Sequence, residues 1–544
     1  MRRASAPALV AALALAAGCA RCGAPRPIAP PERFLPASGY LSVVVPALGS
    51  AARQLGGLYR TASTFPGASQ LVESHQALRA QLGFDPFDPK GLEEAGLAPA
   101  GGAGASAGEG RPLLLVLPLA DLGRFDSLAQ RLARDRLGAP DRVSSMGGGH
   151  PVVSFRRSAS GPAALAYATV PGYVIVAAGP GGPEAVAAAA THPEEASLLR
   201  SVPYASARIA VGEEISGLAF APRGSPLLSD LPAARDGAAL AVRAGPAEVG
   251  LRLALLLAEE RAPAWKAIAA EGPEAARQAG QAEARLLAPD AILAVRSGGD
   301  PAALGRRLVP FLPARVRAAL DAARLDLEGE LLPALAPGAA LSLSLAPTFT
   351  LAELTAPTLD PRRSDPFRLV KLEALLRVKD PARLRAFLLR AGQAAPRWGG
   401  KLAARGPAGA PGAWTLSYGR VQLSLALAGD RLAVAGGEGR LEELERRISG
   451  GGPGYAAPSP RARAALEGGL LGAVLDVGRL VDGVRALPDE AYGTGPNAFV
   501  MRSLADRLLQ PASRLRAVSL RFELVPGAAL VDLEVEARET PSPP

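Results

Sequence analysis

The sequence predicts an α+β protein of two similar tandem halves, each a mostly antiparallel sheet with helices packed on one face. Three observations carry that prediction. Gly172–Gly179 and Gly429–Gly436 are matched eight-residue segments, glycine to glycine, each behind an apolar run. Around both lies the same order of strand, aspartate, helix, strand, hairpin and helix. Alternation such as Leu341-Ser-Leu-Ser-Leu345 marks strands with one buried face.

Composition bounds the reading. With 544 residues the chain exceeds one ordinary domain, and 49% hydrophobic against 20% charged residues supplies sizeable cores. There are five lysines, leaving 55 arginines, and one asparagine, Asn497, a skew that fits GC-rich coding better than selection for guanidinium chemistry. Three histidines and two cysteines leave little material for metal or thiol chemistry.

In chain order, Met1-Arg2-Arg3 is a basic start and Ala6 to Ala17 an apolar segment, shorter than the roughly 20 residues a spanning helix needs. Residues 1–18 therefore read as an export signal. Leu15-Ala-Ala-Gly-Cys19 resembles the lipobox of bacterial lipoproteins, with Ala16 where leucine is commoner. The resemblance implies lipidation of Cys19, which becomes the mature N-terminus and anchors the chain to a membrane. Cys22, the other thiol, lies in the same stretch, so the body can form no disulfide. Residues 19–38 carry five prolines after the anchor and are expected to be an extended tether.

The first half is placed at 39–261. Tyr40 to Val45 opens it, and Leu113 to Leu119, Val153 to Phe155 and the hairpin around Gly172 follow; Ala239 to Leu257 closes it as two strands. Residues 262–288 form a helix-prone connector. The second half, 289–537, repeats the order: Ala291 to Arg296, Leu372 to Val378, Leu416 to Tyr418, the hairpin around Gly429, then Val518 to Val535. Residues 538–544 are expected to be a disordered tail. Asp88, Asp121, Asp300, Asp380 and Asp476 each precede a helical pattern and suit N-caps, with prolines 89, 301 and 381 at the first helical position.

Catalytic signatures fail on context. Gly104-Ala-Ser106-Ala-Gly108 fits the serine-hydrolase pattern, but the stretch is Gly/Ala-rich, reads as a flexible loop, and shows neither the preceding strand nor the following helix. His150 follows a glycine turn and His192 precedes a proline. Asp85, Asp88, Glu93 and Glu94 match no calcium-loop spacing. Gly399-Gly-Lys401 lacks the first glycine of a phosphate loop, Ala395 standing there. The formal charge of +9 falls to +7 when cleavage before Cys19 removes Arg2 and Arg3, and acids are interspersed throughout, which argues against nucleic acid. No catalytic residue, cofactor or metal is expected.

Repeated strand–helix–hairpin order, Gly83-Phe-Asp-Pro86 and the lipobox together resemble exported bacterial proteins of uncharacterised function. The expectation is a non-catalytic, lipid-anchored cell-envelope protein, outer membrane preferred over inner because no acidic residue follows Cys19. It would act as a binding or scaffold module for an envelope protein partner. The alternative is a carrier or sensor of a lipid or other apolar ligand in a groove between the halves or under the helices; a hydrolase is the third reading.

Overall fold

The computed structural model describes residues 28–538 except 64–67, 159, 213, 230–235, 246–247, 259–261, 270–271, 310–313, 347–364, 406–411 and 493–495. Cys19, Cys22, the export signal and the tail from 539 lie outside the described residues.

The strands are β1 Leu41–Val45, β2 Ala103–Ala107, β3 Leu113–Pro118, β4 Asp141–Gly147, β5 His150–Arg156, β6 Ala163–Val170, β7 Tyr173–Ala178, β8 Gly217–Pro222, β9 Gly237–Gly245 and β10 Glu248–Leu256. They continue as β11 Leu293–Ser297, β12 Leu335–Leu345, β13 Val370–Val378, β14 Gly400–Arg405, β15 Ala413–Tyr418, β16 Val421–Ala428, β17 Arg431–Gly436, β18 Leu471–Asp476, β19 Leu515–Val525 and β20 Ala528–Ala537. Antiparallel pairings link them into one 20-stranded sheet. Its spatial order is 4-5-6-7-3-2-1-8-9-10-20-19-18-11-12-13-17-16-15-14. The expected hairpins are β6–β7 and β16–β17, turning at Gly172 and Gly429, both with the positive φ that a tight turn demands.

The helices that pack this sheet are, in chain order, α1 Leu48–Ala62, α2 Leu122–Leu137, α3 Gly182–Ala190, α4 Val202–Val211, α5 Pro273–Ala284, α6 Pro381–Ala394, α7 Arg440–Ile448, α8 Pro460–Glu467, α9 Val477–Arg485 and α10 Pro496–Ala512. The aspartate caps form: Asp121 accepts from Arg124 N at 3.1 Å, Asp380 from Arg383 N at 2.9 Å and Asp476 from Arg479 N at 2.8 Å. Asp88 and Asp300 accept from Lys90 N and Ala302 N, each at 3.0 Å, at the starts of two further short helices, Pro89–Glu94 and Pro301–Leu308.

Three expectations are corrected. Helices do not keep to one face. On β7, Val174 and Val176 join Phe125 and Ala129 of α2, while Ile175 and Ala177 join Val186 and Ala189 of α3 on the other side. On β17, Leu432 meets Leu384 of α6, and Ala433 meets Leu444 of α7. Tyr-Val-Ile-Val-Ala-Ala is apolar at consecutive positions, the pattern of a strand shielded from water on both faces.

The tether does not reach residue 38. Phe34 and Leu35 are buried in the first core, with Phe34 5.7 Å from the Tyr173 ring and Leu198 N donating to Leu35 O at 2.8 Å. Glu32 is buried too and accepts from the Tyr204 hydroxyl at 3.1 Å. A proline-rich composition concealed two large apolar side chains whose burial outweighs the cost of ordering the segment.

Finally, the Gly104–Gly108 stretch is not a loop: Gly104, Ala105 and Ser106 are paired on both sides within β2. Its small residues admit a close approach, since a side chain on Gly104 would place its Cβ 2.7 Å from Leu35 Cδ1.

Candidate binding surface

Strands β10 and β20 join the two runs of strands, with Arg252 opposite Asp532 at the centre of the register and Glu248–Glu536 and Leu256–Ala528 at its ends. Alternation divides their side chains between two faces. One face carries Glu248, Gly250, Arg252, Ala254, Asp532, Glu534 and Glu536. Arg252 donates to Asp532 Oδ1 at 2.5 Å and Oδ2 at 3.1 Å, and Arg521 of β19 donates to Oδ2 at 2.8 and 3.1 Å. Arg243 reaches Glu534 at 2.6 Å, Arg461 of α8 pairs with Glu248, and Ser459 donates to Glu536 at 2.8 Å. Burial pushes the Asp532 carboxyl up, but the hydrogen bonds and charges of Arg252 and Arg521 outweigh it and hold it below the ordinary aspartate value.

A cavity of about 550 Å³ opens over this network, lined by these arginines and acids with Gln54, Ser216 and Ala465. The expected apolar groove at this junction is therefore corrected: the junction cavity is charged, because facing strands place Arg252, Arg521, Asp532 and Glu534 on its side of the sheet. The ions compensate one another, which makes the network a seam and not a source of net charge. A second compensated cluster lies on the same side of the sheet, where Glu373 takes Arg440 at 3.3 Å and pairs with Arg447, and Asp290 takes Arg440 at 2.5 Å.

The opposite face is apolar. It carries Leu251, Leu253 and Leu255 of β10, Val531, Leu533 and Val535 of β20, and Val518 and Leu520 of β19. Leu471 and Leu475, Leu293 and Val295, and Leu341 and Leu343 continue it across β18, β11 and β12. All these side chains are only half-buried, and none joins a buried cluster among the described residues.

The single-buried-face reading of Leu341–Leu345 is thus inverted. Ser342 and Ser344 are buried and the three leucines are half-exposed. Close packing explains it. Helix α5 lies over β11 and β12 with Ala276, Gly280 and Ala284 toward the sheet; a Cβ on Gly280 would sit 2.5 Å from Arg296 Nη1. Only small side chains fit beneath such a helix, so serine and alanine occupy the covered side. Arg296 is buried there with backbone carbonyls as partners, among them Arg277 O at 3.3 Å and Gly469 O at 3.1 Å, and burial lowers its guanidinium to about 10.

The remaining sequence candidates do not converge. Ser106 is buried in mid-sheet, paired with Ser42 and Leu114. His150 starts β5, four strands away in the sheet order, and His192 bonds its own loop at Ala196 O, 2.9 Å. Asp85 accepts from Phe87 N and contacts His75 Nε2 at 3.2 Å, while Asp88 caps its helix. Among the described residues, no three of the His, Cys, Asp and Glu side chains group as metal ligands. Gly399 ends a short helical turn before β14, on which Lys401 is exposed. The His75–Asp85 pair, its imidazole stacked on Phe87 at 4.9 Å, and both ionic clusters lie outside the candidates drawn from the sequence. The clusters had one sequence signal: charges at the inward parity of otherwise apolar strands.

No protein-family model and no curated protein matches the chain. Five solved chains do. Crystal forms III and I of TP0453 match at 10% and 12% identity, each with a TM-score of 0.27, covering 43% of this chain and 81% of that one. Crystal form IV matches at 8% identity and a TM-score of 0.24, covering 44% and 85%.

Proposed function

We propose that the protein is a non-catalytic, lipid-anchored cell-envelope binding module, and that its binding surface is the leucine and valine face of the central strands. The observation that carries the reading is the inverted alternation: polar side chains lie under helices, and a broad apolar face stays half-exposed. A contiguous, half-exposed apolar face that joins no core cluster among the described residues supports an interaction site. Its ends are flanked, by Trp265 6.1 Å from Phe522 on one side and by α9 against Leu345 on the other, so the open part is bounded.

A tandem duplication supports the same reading. From β10 outward the sheet runs 9-8-1-2-3-7-6-5-4, and from β20 outward 19-18-11-12-13-17-16-15-14, which is the same order ten strands later. Two copies joined edge to edge about Arg252–Asp532 present one doubled apolar face, a scaffold geometry. Lipidation of Cys19 would hold it at a membrane. The carrier reading draws on the same face, with an apolar molecule in place of a protein.

In-cell photo-crosslinking from Leu253 and Leu533 tests the proposal, with exposed Met146 in the β4–β5 hairpin as control. Adducts confined to the two face positions are expected, and their masses separate a protein from a small apolar ligand. Equal adducts at Met146, or none at the face, would sink it.

A further inference from the structure

Helix α10 sits on the rim of the apolar face. Its Ala498, Met501 and Ala505 pack toward Tyr492 and Leu487, together with Val370 on the apolar side of β13. The rest of the helix turns large apolar side chains to solvent: Phe499 is 79% exposed, Val500 61%, Leu504 47% and Leu508 67%. Four such residues on one helix are a costly arrangement in water, roughly 1.5 kcal/mol or more of forgone burial for each. The connection that carries it, Val477 to Arg514 between β18 and β19, has its counterpart between β8 and β9 in Arg223 to Asp236, a far shorter segment. The sheet can therefore be built without this helix.

We propose that α10 is an interfacial helix that seats on an anionic lipid bilayer, its exposed apolar side among the headgroups and upper acyl chains. The proposal rests on the membrane-anchored reading above, and two observations select the occupant. Charge is the first. Asp506 is the only acid of the helix and is engaged by Arg485 at 3.7 Å, and Arg502 is paired with Asp489, whereas Arg507 is exposed among the apolar residues. An amphipathic helix with arginines beside its apolar side fits anionic headgroups, which attract each cation and admit its aliphatic stem. Reach is the second. From Cys19 to Ile28, where the described chain begins, nine residues span about 30 Å at most. Ile28 lies against the Gly172 turn, twelve strands from β13 in the sheet order, so the anchor keeps the body beside the bilayer and the exposed side of α10 supplies its own contact with the surface.

The lack of cysteine in the body provides the test. The full acylated chain, with Cys22→Ser and Leu504→Cys, is labelled with an environment-sensitive fluorophore and placed in phosphatidylcholine vesicles with or without phosphatidylglycerol; Met146→Cys is the control position. Flotation of the vesicles reads the anchor separately from the helix. The expected result is a blue shift at 504 and quenching by bromine-labelled acyl chains, both in phosphatidylglycerol vesicles, with tenfold or greater loss of the quenched fraction on adding Arg507→Glu. An aqueous spectrum on floating vesicles overturns the proposal while leaving the anchor intact. A blue shift without bromolipid quenching also overturns it, because the label is then buried against protein. Failure to float removes the anchored reading on which the proposal stands.

Discussion

Asp532 is the residue on which the junction between the two runs of strands depends, and its removal should cost more than a typical surface change. It is buried at the centre of the β10–β20 register and takes four hydrogen bonds from Arg252 and Arg521. Asp532→Ala removes the carboxylate that both guanidinium groups share and leaves Arg252 with Val211 O and Arg521 with Glu523, a loss of about 3 kcal/mol, the low end for breaking a buried pair. Replacing the cluster together, as Arg252→Met, Asp532→Leu and Arg521→Met, removes those charges too and should recover most of that loss. Urea denaturation followed by tryptophan fluorescence suits the measurement, because Trp265 stands beside Phe522 of the neighbouring strand β19. The pH dependence has a definite sign. The folded carboxyl titrates below its unfolded value of about 3.9, so its stabilisation is complete above that value and is lost as the pH falls through the lower folded one. The gap between the wild type and Asp532→Asn should therefore be full at pH 7 and shrink below about pH 4. A loss under about 1 kcal/mol for Asp532→Ala, the range of an exposed ion pair, would show that the junction does not depend on this carboxylate.

Other predictions follow from local structure. Asp380→Ala removes the cap on Arg383 N and should cost about 1 kcal/mol by urea midpoint, with Asp380→Asn near neutral. Leu35→Ala empties a fully buried site and should cost about 2–5 kcal/mol, and a chain started at Gly39 should be destabilised at least as much. Leu253→Ser, on the half-exposed face, should shift the stability of the isolated protein by no more than about 0.5–1 kcal/mol; a core-sized loss would mean that the face is packed.

Much of the local fold was legible. Glycines 172 and 429 announce their hairpins because only a residue tolerant of positive φ turns so tightly, and five aspartates announce helix starts because each offers an oxygen to free N–H groups. What depends on partners far along the chain was not legible. Strand β2 is Ala-Gly-Ala-Ser-Ala, poor in strand formers, and is held by Leu35 over Gly104 and by two flanking strands. Arg252 and Asp532 are 280 residues apart, so no local pattern pairs them. Periodicity separates the serines from the leucines of β12, yet it does not say which side receives α5. That choice follows from Gly280 and its alanine neighbours, which admit only small side chains opposite them.

Whether the leucine face is covered in the cell is the most direct question. With Cys22→Ser as the parent background, Leu253→Cys can be alkylated with a maleimide in intact envelopes and again after purification, beside Met146→Cys as an exposed control. If a partner covers the face, the thiol at 253 reacts at least tenfold more slowly in the envelope than in the purified protein, while the thiol at 146 reacts alike in both. Equal rates at 253 in the two settings would contradict it, leaving an apolar face that nothing occupies.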